Sequence, residues 1–102
     1  MTSFRETVNR AADNAGLSVK NQVATNSFSL LVHTMIELGQ LKLPHGAIGV
    51  LSDVLKERTG HAVPGGSLRW YRVQIMKDPE YVARFVKLPP AFDLLVRTGQ
   101  PA

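Results

Sequence analysis

The stretch GGSLRWYRVQIMKD, residues 65–78, holds the side chains of this sequence that are best suited to recognising another molecule. On a helix, Arg69, Trp70 and Gln74 would lie toward one side. The other side would carry Leu68, Tyr71, Ile75 and Met76. An arginine grips a guanine edge through two hydrogen bonds, and a glutamine can pair with adenine. The residue types therefore favour a helix that combines a packing side with a recognition side.

The residue types that usually perform catalysis are sparse. The only imidazoles are His33, His45 and His61, and the chain has no cysteine. None of these histidines has a second ligand at the spacing of a metal site, and Gly65 and Gly66 belong to no phosphate-loop or dinucleotide motif. We expect His33 to be a core or interface residue of an apolar helix. The sequence therefore predicts no enzyme activity, no cofactor and no metal.

The positive charge of the chain is concentrated in one segment. The formal net charge is +4, and residues 54–88 contain seven basic and three acidic side chains, while the remaining five basic and five acidic residues cancel. This asymmetry favours a surface that contacts phosphate or an acidic partner. An excess of this size is also common on ordinary solvated surfaces.

Composition also bears on the location of the protein. Without cysteine there is no disulfide framework, and the first residues lack the apolar core of a secretory signal. The longest apolar-rich run, residues 28–38, is shorter than the roughly 20 residues that cross a bilayer. We therefore expect a cytoplasmic protein with no contact to membranes.

Start and stop signals divide the chain into five or six short helices. Ser3 and Glu6 have capping-box spacing, Asn26 or Ser27 can cap a second helix, and Pro44 suits the first turn of a third. The predicted helices span residues 4–15, 26–38, 44–58, 67–76 and 79–87, with one or two further turns before Gly99. The sequence therefore predicts an all-α fold, a compact bundle forming one domain over residues 1–102, with residues 99–102 frayed.

The second predicted helix is apolar on nearly all sides. Phe28, Leu31, Val32 and Met35 share one face, and other apolar residues fall outside it. Such a helix is either the central element of a core or part of a subunit interface. We expect a homodimer that forms through these four residues.

The predicted helices at 44–58 and 67–77 resemble a helix-turn-helix. In such domains the second helix enters the DNA major groove, and the first helix crosses the backbone. The connection at 60–66 is longer than the usual three or four residues, and another helix follows it. The resemblance implies a DNA-binding protein, regulatory or architectural, with 67–77 as a basic recognition helix. By this resemblance Ser67, Arg69, Trp70, Val73 and Gln74 face the duplex, and Lys56, Arg58, Arg72 and Lys77 contact phosphates.

A protein partner is the alternative that uses the same residues. Tryptophan, tyrosine and arginine are enriched at the energetic centres of protein interfaces. Trp70, Tyr71 and Arg72 would then form the surface of a small helical adaptor or inhibitor. The sequence leaves both alternatives open.

Overall fold

The computed structural model describes residues 3–98 and contains six helices in that part of the chain. No strand occurs among these residues, which confirms the prediction of an all-α bundle with five or six helices. The prediction that residues 99–102 are frayed lies outside the described residues. The helices are α1 (Phe4–Ala15), α2 (Val23–Leu38), α3 (Ala47–Thr59), α4 (Gly65–Lys77), α5 (Pro79–Val82) and α6 (Pro90–Thr98). None of the described helices is both long and apolar enough to cross a membrane.

Helix α1 has the bounds that its capping signals predict. The Ser3 hydroxyl accepts a hydrogen bond from the backbone N–H of Glu6 at 3.2 Å, and the Glu6 carboxylate accepts one from the backbone N–H of Ser3 at 3.3 Å. At the other end Gly16 adopts φ +69°, a conformation that favours glycine and ends the helix. Both signals lie within one turn of the ends that they define, so sequence alone suffices here.

Helix α2 forms the centre of the core, with α1, α3, α4 and α6 packed around it. Phe28, Leu31 and Met35 are fully buried, and Val32 is 1% exposed. The predicted dimer interface at these four residues is wrong, because they lie inside the core of a single chain and have no surface left for a second copy. Burial on several sides explains why this helix is apolar nearly all round.

Two hydroxyl groups on α2 lack hydrogen-bond partners. Ser27 and Thr34 are fully buried, and neither side-chain oxygen has a partner among the described residues. By contrast, the Ser29 hydroxyl on the same helix donates to the carbonyl of Ala15 at 2.6 Å. Burying a hydroxyl without a partner costs free energy, because the water that it loses is not replaced.

Helices α2 and α3 begin away from their predicted starts. Helix α2 begins at Val23, because Asn26 holds the preceding connector instead of capping the helix. Its side-chain amide donates to the carbonyl of Ser18 at 2.9 Å and accepts from the Ser18 N–H at 3.3 Å. Helix α3 begins at Ala47 and not at Pro44, because Gly46 has φ +81° and the helical conformation starts only after it.

The later helices differ from prediction mainly in length. Helix α4 begins two residues before the predicted cap, Ser67. The Asp78 carboxylate accepts from the N–H of Tyr81 at 3.1 Å, as a capping residue should, yet α5 ends at Val82 and turns follow it. The rings of Tyr81 and Phe85 lie 6.2 and 5.4 Å from the ring of buried Phe28. Packing around this ring sets the path of the segment after α5.

Candidate functional site

Helix α4 has one side in the core. Leu68 is fully buried, Ile75 is 1% exposed, and the ring of Tyr71 meets the ring of Phe28 edge to face at 5.0 Å. These contacts fix the rotation of α4 about its axis. The opposite side of the helix is therefore held toward solvent in a defined orientation.

The solvent side of α4 carries an apolar stripe with cations beside it. Trp70, Val73 and Met76 are 49%, 48% and 46% exposed, and Arg69 and Lys77 are also exposed. Met76 was expected on the core side, and its exposure corrects that expectation.

The other two predicted recognition residues on α4 differ in their exposure. Ser67 lies at the start of the helix and is exposed, whereas Gln74 is half-buried. The structure thus brings most of the predicted recognition residues onto one face of the helix.

A groove separates the first two turns of α4 from the segment at residues 42–49. Its volume is about 780 Å³. Lys42 and His45 line it from the segment, and Arg69 and Arg72 line it from α4, whereas no aspartate or glutamate belongs to its lining. The Nε atom of Arg72 is buried and has no hydrogen-bond partner among the described residues. The groove is therefore a concavity with an excess of positive charge.

Small and apolar residues form the rest of the groove. Leu43, Pro44, Ile48 and Val73 contribute its apolar surface, together with three glycines, Gly46, Gly49 and Gly65. A Cβ atom at Gly65 would lie 3.2 Å from Cγ2 of Ile48, so α4 and α3 approach closely at this point. A Cβ atom at Gly49 would meet no protein atom within 4 Å.

Two of the predicted phosphate contacts lie elsewhere. Arg58 turns toward α1, where its guanidinium donates to the Asp13 carboxylate at 2.8 Å and to the side chain of Asn9 at 3.2 Å. Lys56 lines a shallow depression on α3 together with two carboxylates, those of Asp53 and Glu57. Neither cation lines the groove, so the structure does not bring Lys56 and Arg58 together with the arginines of α4.

Ion pairs are confined to one part of the described chain. Within residues 3–98, the four salt bridges all involve arginines of α1 or α3. They are Arg5–Asp53 (2.9 Å), Arg5–Glu57 (4.0 Å), Arg10–Glu37 (3.2 Å) and Arg58–Asp13 (2.8 Å). Carboxylates of α1, α2 and α3 thus neutralise these three arginines, whereas Arg69 and Arg72 of α4 have no carboxylate within salt-bridge distance in the described part of the chain.

Lys42 and His45 are groove residues that sequence reasoning did not select. Lys42 lies two residues before Pro44 and His45 directly follows it, and Pro44 was expected to begin the third helix. Because α3 begins only at Ala47, residues 44–46 extend the preceding loop instead. A glycine two residues after a proline was the signal that could have suggested such a loop.

The histidine on α2 lies outside the groove lining. Partial burial lowers the pKa of His33 below its usual value of 6.5, and the nearby charge of Glu37 opposes this by raising the pKa. Within residues 3–98, no three histidine, aspartate or glutamate side chains are grouped as a metal site requires.

Neither a protein-family model, nor a curated protein, nor a solved structure matches this chain. Its fold class is therefore established by its own helices, as a small all-α bundle. Any function must be inferred from the solvent side of α4 and the adjoining groove.

Proposed function

We propose that this chain is a DNA-binding protein of helix-turn-helix type, with a regulatory or architectural role. The observation that carries the proposal is the position of Arg69 and Arg72. Both line the groove beside the exposed face of α4, and no carboxylate of the described chain lies within salt-bridge distance of either. Unneutralised arginines on a helix are well suited to phosphates and guanine edges.

The packing of three helices supports this proposal. Helices α2, α3 and α4 all contact one another, as do the three helices of a helix-turn-helix variant such as a homeodomain. Residues 60–64 connect α3 to α4. This connection is shorter than the sequence suggested and is close to the three or four residues of the motif.

Each recognition residue has a role in the proposal. Arg69 reaches base edges from the second turn of α4, and Ser67 and Trp70 flank it. Arg72 and Lys77 contact phosphates, which fixes the orientation of the helix on the duplex.

Of the remaining predicted DNA contacts, two lie later on α4 and two are excluded from the proposed DNA surface. Val73 and Gln74 complete the base-reading side of α4. Lys56 and Arg58 no longer belong to this surface, because they lie among the carboxylates of α1 and α3.

The first test is binding to random-sequence duplex DNA, measured by fluorescence anisotropy at several salt concentrations. We expect the logarithm of the affinity to fall linearly with the logarithm of the salt concentration, with a slope of about −0.9 for each neutralised phosphate. Absence of binding at low salt would contradict the proposal.

A matched pair of variants tests whether position or net charge determines binding. Each double variant removes two positive charges. R69Q/R72Q removes them from the groove, and R5Q/R10Q removes them from the salt-bridged arginines of α1. We expect R69Q/R72Q to lower affinity by about tenfold to a hundredfold, or roughly 1.4 to 2.8 kcal/mol. R5Q/R10Q should remain within about threefold of wild type. Equal losses in both would show that net charge alone attracts DNA.

A DNA-binding function agrees with a cytoplasmic chain and with a homodimer. In a two-fold dimer, two α4 helices would lie roughly 34 Å apart and contact successive major grooves. The dimer contact would have to lie outside the buried face of α2. Sedimentation equilibrium of the free chain, followed by the same measurement with duplex DNA, tests this.

A protein partner is a second candidate, favoured by the apolar stripe of α4. Trp70, Val73 and Met76 each leave nearly half of the side chain exposed, and exposed apolar groups of this kind mark interaction sites. In this function Trp70, Tyr71 and Arg72 form the surface of an adaptor or inhibitor. Trp70→Ala distinguishes the candidates, because it should abolish protein docking and leave the salt dependence of DNA binding intact.

A further inference from the structure

The groove beside α4 has the size and composition of a small-molecule site. Its volume of about 780 Å³ lies within the range of roughly 300 to 1,000 Å³ typical of ligand pockets. It combines apolar side chains with a few charged groups, which is the usual composition of such sites. These properties are unnecessary for a surface that contacts only the backbone of a duplex.

The charged groups of the groove are suited to a phosphate group. Arg69 and Arg72 are three residues apart on α4, so they are neighbours on its surface and both line the groove. A guanidinium can hold a phosphate through two parallel hydrogen bonds. Neither guanidinium has a carboxylate within salt-bridge distance among the described residues, so both can pair with a phosphate. Lys42 and His45 add donors from the opposite side.

The apolar groups of the groove require more than an inorganic anion. Leu43, Pro44 and Ile48 line it on one side, and Val73 lines it on the other. A flat, weakly polar ring would cover these side chains while its phosphate reached the arginines. The combination of a ring with a phosphate is the chemistry of a nucleoside phosphate.

We infer that the groove between α4 and residues 42–49 binds a nucleoside phosphate. The nucleotide is either free in solution or a unit of a nucleic-acid strand, since both present the same ring and phosphate. This goes beyond reading of a duplex by α4, because the groove takes up the ring and not only the backbone. A free nucleotide would occupy Arg69 and Arg72 and so compete with DNA.

The primary test uses an equimolar mixture of the four ribonucleoside 5′-monophosphates. Trp70 is the only tryptophan of the chain and is adjacent to Arg69, so its fluorescence reports on occupancy. The melting temperature is a second readout, because a molecule that binds only the folded state raises it. We expect the mixture to change both, whereas inorganic phosphate or the four nucleosides should bind at least tenfold more weakly.

Two glycine variants separate the groove from the rest of α4. Gly49→Leu places a side chain in the groove, where no protein atom would obstruct its Cβ within 4 Å. Gly66→Leu is the control, since its Cβ also has open space and Gly66 does not line the groove. Both glycines lie in helices, where leucine is the better helix former, so both variants should fold. We expect at least a tenfold loss of nucleotide binding for Gly49→Leu and less than twofold for Gly66→Leu.

Duplex DNA distinguishes the two sources of the nucleotide. If Gly49→Leu keeps duplex binding but loses the monophosphates, the groove is a site for the free molecule. If it loses both, the groove holds a nucleotide unit of the strand, and either result supports the inference.

Two results would overturn the inference. No response of the wild type to the monophosphates, or unchanged binding in Gly49→Leu, would exclude the groove as their site. If the wild type binds the monophosphates but no duplex DNA, only the DNA-binding proposal is overturned. If it binds duplex DNA but not the monophosphates, only this inference is overturned.

Discussion

Two groups of arginines in this chain differ in their neighbours. On α1 and α3, Arg5, Arg10 and Arg58 each lie within 4.0 Å of a carboxylate. On α4, Arg69 and Arg72 have no such neighbour within residues 3–98, and they line a groove instead. The first group connects helices of the same chain, whereas the second has its charge available to another molecule.

The paired arginines connect positions that are distant in sequence. Arg5 reaches Asp53, and Arg58 reaches Asp13, so both pairs join α1 to α3. These side chains are more than a third exposed, and exposed pairs contribute only about 0.2 to 1 kcal/mol each. Their main effect is to neutralise one side of the bundle, which leaves the excess positive charge near α4.

The largest expected effect is on stability, through the packing that holds α4 against the core. Leu68→Ala removes a fully buried side chain, and we expect the free energy of unfolding to fall by about 2 to 5 kcal/mol. Val73→Ala, on the exposed side, should change it by less than about 0.5 kcal/mol. Urea denaturation measures both. A comparably large cost for Val73→Ala would show that a second copy covers this face in solution.

The next largest effect distinguishes two cations of α4, Arg69 and Lys77, by their roles in DNA binding. Arg69→Ala should lower the affinity for a specific DNA site by roughly 1 to 3 kcal/mol and reduce discrimination between sequences. Lys77→Ala should weaken binding to all DNA sequences equally. It should also make the slope of log affinity against log salt concentration shallower by about 1. Anisotropy titrations with the specific site and with a scrambled duplex measure both. Unchanged specificity in Arg69→Ala would contradict the recognition role.

A smaller effect is expected on the salt-bridged side. Arg58→Gln removes the contacts to Asp13 and Asn9, and the free energy of unfolding should fall by about 0.5 to 1 kcal/mol. Much of the difference from wild type should disappear at about 1 M salt, because ions screen exposed charges. DNA binding should be unaffected. A loss of DNA affinity equal to that of Arg72→Gln would remove the distinction between the two groups.

The smallest expected effect is the pH dependence that His33 produces. Its pKa is lowered in the folded state by burial, so the unfolded chain binds a proton more readily near pH 6.5. The contribution of neutral His33 to stability is therefore fully present above pH 6.5 and decreases as the pH falls below it. Thermal unfolding followed across this range should show a weaker dependence in His33→Gln. An unchanged profile would contradict this origin.

The sequence predicted the elements whose signals are local. The ends of α1 follow from Ser3, Glu6 and Gly16, all of which act within one turn. The predicted start of α3 was wrong because of a local feature, the positive φ of Gly46, whereas the predicted start of α2 and end of α5 were wrong because side chains there have partners beyond their own turn. Asn26 holds the connector at Ser18 and does not cap α2, and the rings that pack on Phe28 determine the segment after α5.

The candidate site shows the same division between local and distant determinants. Helical periodicity placed Arg69 and Trp70 on one side of α4, because that depends only on neighbours along the helix. Position in the chain suggested that Arg58 belonged with them, yet its partner Asp13 is 45 residues away. The groove forms between α4 and residues 42–49, where the sequence predicted a helix from Pro44 and the structure has a loop as far as Gly46. Two of its polar side chains, Lys42 and His45, were not identified from the sequence, because their place beside α4 depends on tertiary packing.

The two buried hydroxyls of α2 have a consequence for how the sequence of this chain can change in evolution. Ser27 and Thr34 occupy core positions, and their hydroxyls have no hydrogen-bond partner within residues 3–98. Alanine and valine fill nearly the same space, and an apolar replacement of a solitary polar group is often neutral or stabilising. We therefore expect Ser27→Ala and Thr34→Val to leave the free energy of unfolding unchanged or to raise it, since natural proteins are rarely at their stability maximum. A lineage that acquired these replacements would gain tolerance for destabilising substitutions on the surface of α4, where new binding preferences would arise.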